Sequence, residues 1–98
     1  MAFGWFDARE AKQFGASLAA FYVAQMPVEL KLSEKKFAAR MDSVMRRMTS
    51  QVEAFKVANG LNGYKKAQLG NTFKWALKDA GYDGAYTDKL TDWLVTRL

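Results

Sequence analysis

Any chemistry in this chain falls to carboxylates, amines and hydroxyls, because none of its 98 residues is histidine or cysteine. Imidazole acid–base catalysis, thiol nucleophiles and structural zinc are thereby excluded. Oxygen ligands for Mg²⁺ or Ca²⁺ remain. The densest carboxylates are Asp79, Asp83, Asp88 and Asp92. They lack the alternating oxygen ligands of a calcium loop and its glutamate at position twelve. Three of them, Asp83, Asp88 and Asp92, suit the start of a helix, where a carboxylate faces unpaired amides. The segment LGNTF, residues 69–73, has neither the glycine spacing nor the Gly-Lys-Ser/Thr ending of a phosphate loop. Paired carboxylates acting on a glycosidic bond need a deep cleft, which short helices rarely enclose. The expectation is a chain that is not an enzyme, with no cofactor and no metal.

Two arrays suit recognition instead. The stretch GYKKAQLGNTFKWALKDAGY, residues 63–82, divides into two faces when wound at 100° per residue. Leu69, Phe73, Ala76, Leu77 and Ala80 make an apolar face that belongs to a core. Tyr64, Gln68, Asn71, Trp75 and Lys78 fall on the opposite side, with Lys74 on its shoulder. One placement buries Tyr64 and Trp75 as a second core face, against the first helix or against Phe3, Trp5 and Phe6. The other leaves them exposed as a recognition surface. Tryptophan is a frequent anchor of protein–protein contacts, and aromatic faces flanked by lysines also stack on unpaired bases. Gly70 lies inside this segment, and a mid-helix glycine costs about 1 kcal/mol against alanine, so close approach of another element is expected there.

The second array is a basic ridge. Lys36, Arg40 and Arg47 lie within about 40° of one another on a helix, with Ser43 and Ser50 on the same line and no acid among them. Arginine forks grip phosphate oxygens. The plainer reading is long side chains lying along the edge of the core with their charged tips in water. Fifteen basic against ten acidic residues give a net charge of +5, which favours anionic partners in a general way.

These arrays are carried by helices. Apolar residues recur at helical spacing over four segments, about 7–26, 33–59, 63–80 and 84–97. Asp7 with Glu10, Ser33, Asn62 and Asp83 supply the amino-terminal capping signals. Met26 before Pro27, Asn59-Gly60 and Gly81 mark the carboxyl ends, with Asn59-Gly60 and Gly81 expected to provide the left-handed residue. Residues 28–33, VELKLS, alternate like a strand, but a lone short strand is marginal in water, so an extended connection is expected. The second helix carries Phe37, Met41, Val44, Met45, Met48, Val52 and Phe55 as one apolar stripe. Methionine at that spacing usually fills a core, and an end that outruns its neighbours would be left for a dimer contact.

The expected fold is all-α, a small single-domain bundle of four helices spanning residues 1–98. The absence of cysteine, of an eighteen-residue apolar run and of a secretory leader predicts a cytoplasmic protein. The expected function is a non-catalytic module mediating protein–protein interaction or self-association. The alternative is binding of single-stranded RNA or DNA through the basic ridge and the aromatic stripe. Duplex reading by the last helix is disfavoured, because Asp88 and Asp92 would oppose the phosphates.

Overall fold

The computed structural model describes residues 6–98. Among these residues four helices follow one another: α1 (Arg9–Gln25), α2 (Glu34–Ala58), α3 (Gly63–Asp79) and α4 (Gly84–Arg97). No strand occurs among the described residues, and none of the helices is long and apolar enough to cross a membrane. The chain is a small all-α bundle. Phe3 and Trp5 lie outside the described residues.

Local hydrogen bonding explains where each helix starts. Ser33 accepts the amide of Lys36, Asn62 accepts the amide of Lys65 at 2.8 Å, and Asp83 accepts those of Ala85 and Tyr86. Each satisfies a donor that the first turn leaves unpaired. At α1 the expected capping box does not form. Ala8 occupies the capping position without a side-chain bond, while the Asp7 carboxylate accepts the Arg9 amide at 3.2 Å and binds the Arg9 guanidinium at 2.7 Å. The nearby cation takes the carboxylate that would otherwise cap the third amide.

The carboxyl ends differ from one another. Gly81 has φ of 101°, its amide reaches the Lys78 carbonyl, and the Tyr82 amide reaches the Leu77 carbonyl, which completes a Schellman closure. Asn59-Gly60 does not supply a left-handed residue. Asn59 is extended, with φ of −136°, and both its backbone amide and its side-chain amide donate to the Phe55 carbonyl. The Asn59 side chain does at α2 what the backbone of a left-handed glycine would have done. Residues 28–33 form the expected connection, opened by a bond from the Leu30 amide to the Pro27 carbonyl.

Helix directions follow from the contacts. Phe14 stacks on Phe55 with centroids 4.3 Å apart, the Arg47 guanidinium lies over the Phe21 ring, and Arg40 donates to the Gln25 carbonyl, so α2 runs antiparallel to α1. Helix α3 runs parallel to α1, since Phe6 meets Tyr64, Gly15 meets Leu69 and Thr72, and Tyr82 donates to the Met26 carbonyl. Helix α4 turns back along α3, pairing Asp88 with Lys74 and setting Val95 against Gly70.

The closest approach is between α1 and α3. A Cβ on Gly15 would lie 2.6 Å from the Leu69 carbonyl oxygen, so the missing side chain is what lets the two backbones meet. The core gathers Leu18 and Tyr22 from α1, Val44, Met48 and Val52 from α2, Leu69, Phe73 and Leu77 from α3, and Leu90 and Leu94 from α4. Burying each large apolar side chain stabilises the fold by roughly 1.5–3 kcal/mol. On α3 the expected apolar face is realised except at Ala80, which is exposed. The ends of the α2 stripe are thin. Residues 34–40 are all exposed, Phe37 among them, and Val57 is 89% exposed near the other end. At about 37 Å by 1.5 Å per residue, α2 outruns its neighbours.

Candidate functional site

The polar face of α3 stays open. Trp75 is 58% exposed and Tyr64 is 39% exposed, although Leu69, Phe73 and Leu77 on the opposite side of the same helix are completely buried. Tyr64 has one described aromatic neighbour, Phe6, whose ring meets it edge-on at 5.6 Å. The Lys78 ammonium sits 5.0 Å from the centre of the Trp75 ring, a cation–π contact worth about 0.5–1 kcal/mol at an exposed position.

Beside the indole a shallow groove of about 470 Å³ runs between α1 and α3, lined by Lys12, Gln68, Asn71, Thr72, Ala76 and Asp79 together with Trp75 itself. Lys12 is its one lining residue from α1, and the rest come from α3. Helix α3 then fixes the indole on its rim, because Trp75 lies two residues from Phe73 and must point away from the core that Phe73 fills. Lys74 does not join this face. Its ammonium is 3.5 Å from the Asp88 carboxylate on α4.

The basic ridge is placed differently. Arg40 reaches the Gln25 carbonyl at the end of α1, where a cation also suits the negative pole of the helix. Arg47 lies 4.8 Å over the Phe21 ring. Lys36 is exposed on the first turn of α2. None of the three pairs with a carboxylate among the described residues, yet two of them hold α2 onto α1. The ridge rests on Phe21 and Gln25 of α1, neither of which lines the groove, so the two arrays are not assembled into one site.

Two other concavities were not foreseen. One, about 540 Å³, lies among Asp7, Arg9, Glu10, Gln13, Asn59 and Lys65. Its charges are in water, and the Arg9 guanidinium and amide hold the Asp7 carboxyl down to about 2. The other, about 310 Å³, is apolar and involves Met26, Val28, Leu30, Phe37, Tyr82 and Tyr86. Behind it stand three tyrosines from α1, the turn after α3, and α4. Tyr82 and Tyr86 are stacked at 5.7 Å, and the Tyr22 hydroxyl bonds that of Tyr86 and the Met41 sulfur. Burial pushes the Tyr22 phenol up, with the Tyr86 hydroxyl adding to the effect, and pushes Tyr82 up to about 12. Their hydroxyls are already engaged with one another and with the Met26 carbonyl, so the cleft offers a largely apolar surface with the Asp83 carboxylate at its edge.

Periodicity assigns Tyr22 and Tyr86 to apolar stripes and cannot show that they meet. Lys12, Thr72 and Asp79 likewise carry no signal of their own, because the groove exists only once α1 and α3 are packed. No protein-family profile, curated protein or solved structure matches the chain.

Proposed function

We propose that the chain is a non-catalytic helical module that docks another protein surface through the Trp75 face of α3. The observation that carries this reading is an indole 58% exposed on a well-packed helix, at the rim of a groove. Leaving so large an apolar ring in water forgoes stabilisation that burial would give, and tryptophan on a polar-rimmed surface is the kind of residue that dominates protein interfaces. The amides of Gln68 and Asn71 beside it are suited to backbone groups of a partner.

Single-stranded nucleic acid is the second reading, and the geometry supports it less. The cations that would meet phosphates are partly committed: Arg40 and Arg47 to α1, and Lys74 to Asp88. Asp79 in the groove would repel a phosphate backbone. A cytoplasmic setting belongs to the same proposal and rests on the absence of cysteine, since small exported domains are commonly cross-linked by disulfides.

The test is affinity capture with the full chain as bait, comparing the native protein with Trp75→Ala. The expected result is that the native bait retains a protein and the variant, with an unchanged helical circular-dichroism spectrum, loses it. Equal capture by both baits, or capture of nucleic acid alone with an affinity falling steeply with salt, would overturn the reading.

A further inference from the structure

We infer that the occupant of the Trp75 groove is a second copy of this chain, related to the first by a two-fold axis. The inference rests on the docking reading above and names its partner. Helices α1 and α3 are parallel, so the groove between them has a direction. Lys12 stands at its amino-terminal end, about one turn before the Gly15 crossing, and Asp79 stands at its carboxyl-terminal end, one turn beyond Trp75. One end is therefore positive and the other negative, with the indole between them. Neither Lys12 nor Asp79 forms an ion pair among the described residues.

A two-fold axis passing near Trp75 and perpendicular to the groove reverses that direction. It sets Lys12 of each copy against Asp79 of the other and brings the two indoles together over the axis. An isologous interface must be self-complementary, and a patch that carries charges meets that requirement when opposite charges face each other across the axis. A groove of a single charge sign would repel its own copy. Thr72 and Ala76 line the groove beside the indole, and these short side chains leave room for an incoming aromatic ring. Lys78, the next cation on this face, is drawn over its own Trp75 ring. The pairing contributes mainly selectivity and register, because exposed ion pairs are individually weak. The indoles supply the apolar area.

The experiment is sedimentation equilibrium on the full chain over a wide concentration range, for the native protein, for Lys12→Glu, for Asp79→Lys, and for an equimolar mixture of the two variants. Both positions are exposed, so circular dichroism should show both variants folded. The native chain is expected to dimerise, and each variant alone to dimerise roughly tenfold or more weakly, since both of its cross-axis pairs become like-charged. The mixture is expected to recover the native affinity, because every pair in a mixed dimer is again opposite in sign. A native chain that stays monomeric overturns the inference, and so does a dimer indifferent to both substitutions or a mixture no tighter than its components. If the native chain is monomeric while Trp75→Ala still abolishes capture of a different protein, the docking reading stands and this inference alone fails.

Discussion

Gly15 and Gly70 are both buried glycines inside helices, and each gives up about 1 kcal/mol of helix propensity against alanine. Their surroundings separate them. A Cβ on Gly15 would meet the Leu69 carbonyl oxygen, a backbone atom that cannot rotate aside, with Thr72 Cβ at 3.3 Å behind it. A Cβ on Gly70 would meet only Val95 Cγ2 at 3.0 Å, the end of a half-exposed side chain. Gly15→Ala is therefore expected to lose about 2 kcal/mol of unfolding free energy, toward the upper end of overpacking costs after the propensity gain. Gly70→Ala should lie within about 0.5 kcal/mol of native. Urea denaturation of both variants checks this, and equal effects would mean that the α1–α3 crossing does not depend on a missing methyl group. The close approach at Gly70 was legible in the sequence, because a glycine in the middle of an apolar helical pattern calls for a neighbour. Gly15 was not, since the apolar periodicity of α1 passes through Phe14 and Leu18 without marking which helix lies beside it.

Elements were the most legible scale, because capping is local. A side chain and an amide two or three residues apart decide a helix start, and Ser33, Asn62 and Asp83 all behave as their types and positions predict. The end of α2 was misread for a related reason. Asn-Gly is compatible both with a left-handed turn and with an asparagine that caps with its own side chain, and the choice depends on how the chain must leave the helix. The two glycines after helices should thus respond differently to substitution. Gly81→Ala places a side chain at positive φ and is expected to cost about 1–2 kcal/mol. Gly60→Ala meets open space at ordinary φ and is expected to be neutral or to stabilise by up to about 1 kcal/mol, through the unfolded chain. Thermal unfolding of the two variants distinguishes them, and a comparable loss at Gly60 would show that its backbone freedom is needed after all.

At the scale of the molecule, the short connection at 81–83 lays α4 back along α3, as its length alone suggests. The equally short connection at 60–62 brings α2 into little contact with α3, because α2 packs on α1 instead. The placement of α1 could not be read from connection lengths. Its parallel packing on α3 comes from contacts distant in the chain, and that packing decides what is covered. A helical wheel separates Phe73 from Trp75 but does not say whether a further element lies over Trp75, so burial and exposure stayed equally open. The same holds for the basic ridge: angular alignment put Lys36, Arg40 and Arg47 on one line, while the position of α1 decides that two of them brace the bundle. The overhang of α2 was foreseeable from its length, and Phe37 at its open start fits that expectation.

The central claim is that α3 has one face for the core and another for a partner. Its most direct measurement compares the unfolding free energies of Trp75→Ala and Phe73→Ala with that of the native chain, at a concentration low enough to keep the chain monomeric. Phe73→Ala should cost about 3–5 kcal/mol, and Trp75→Ala about 0.5 kcal/mol or less. A loss of several kcal/mol at Trp75 would contradict the account and make the indole a structural residue of the bundle.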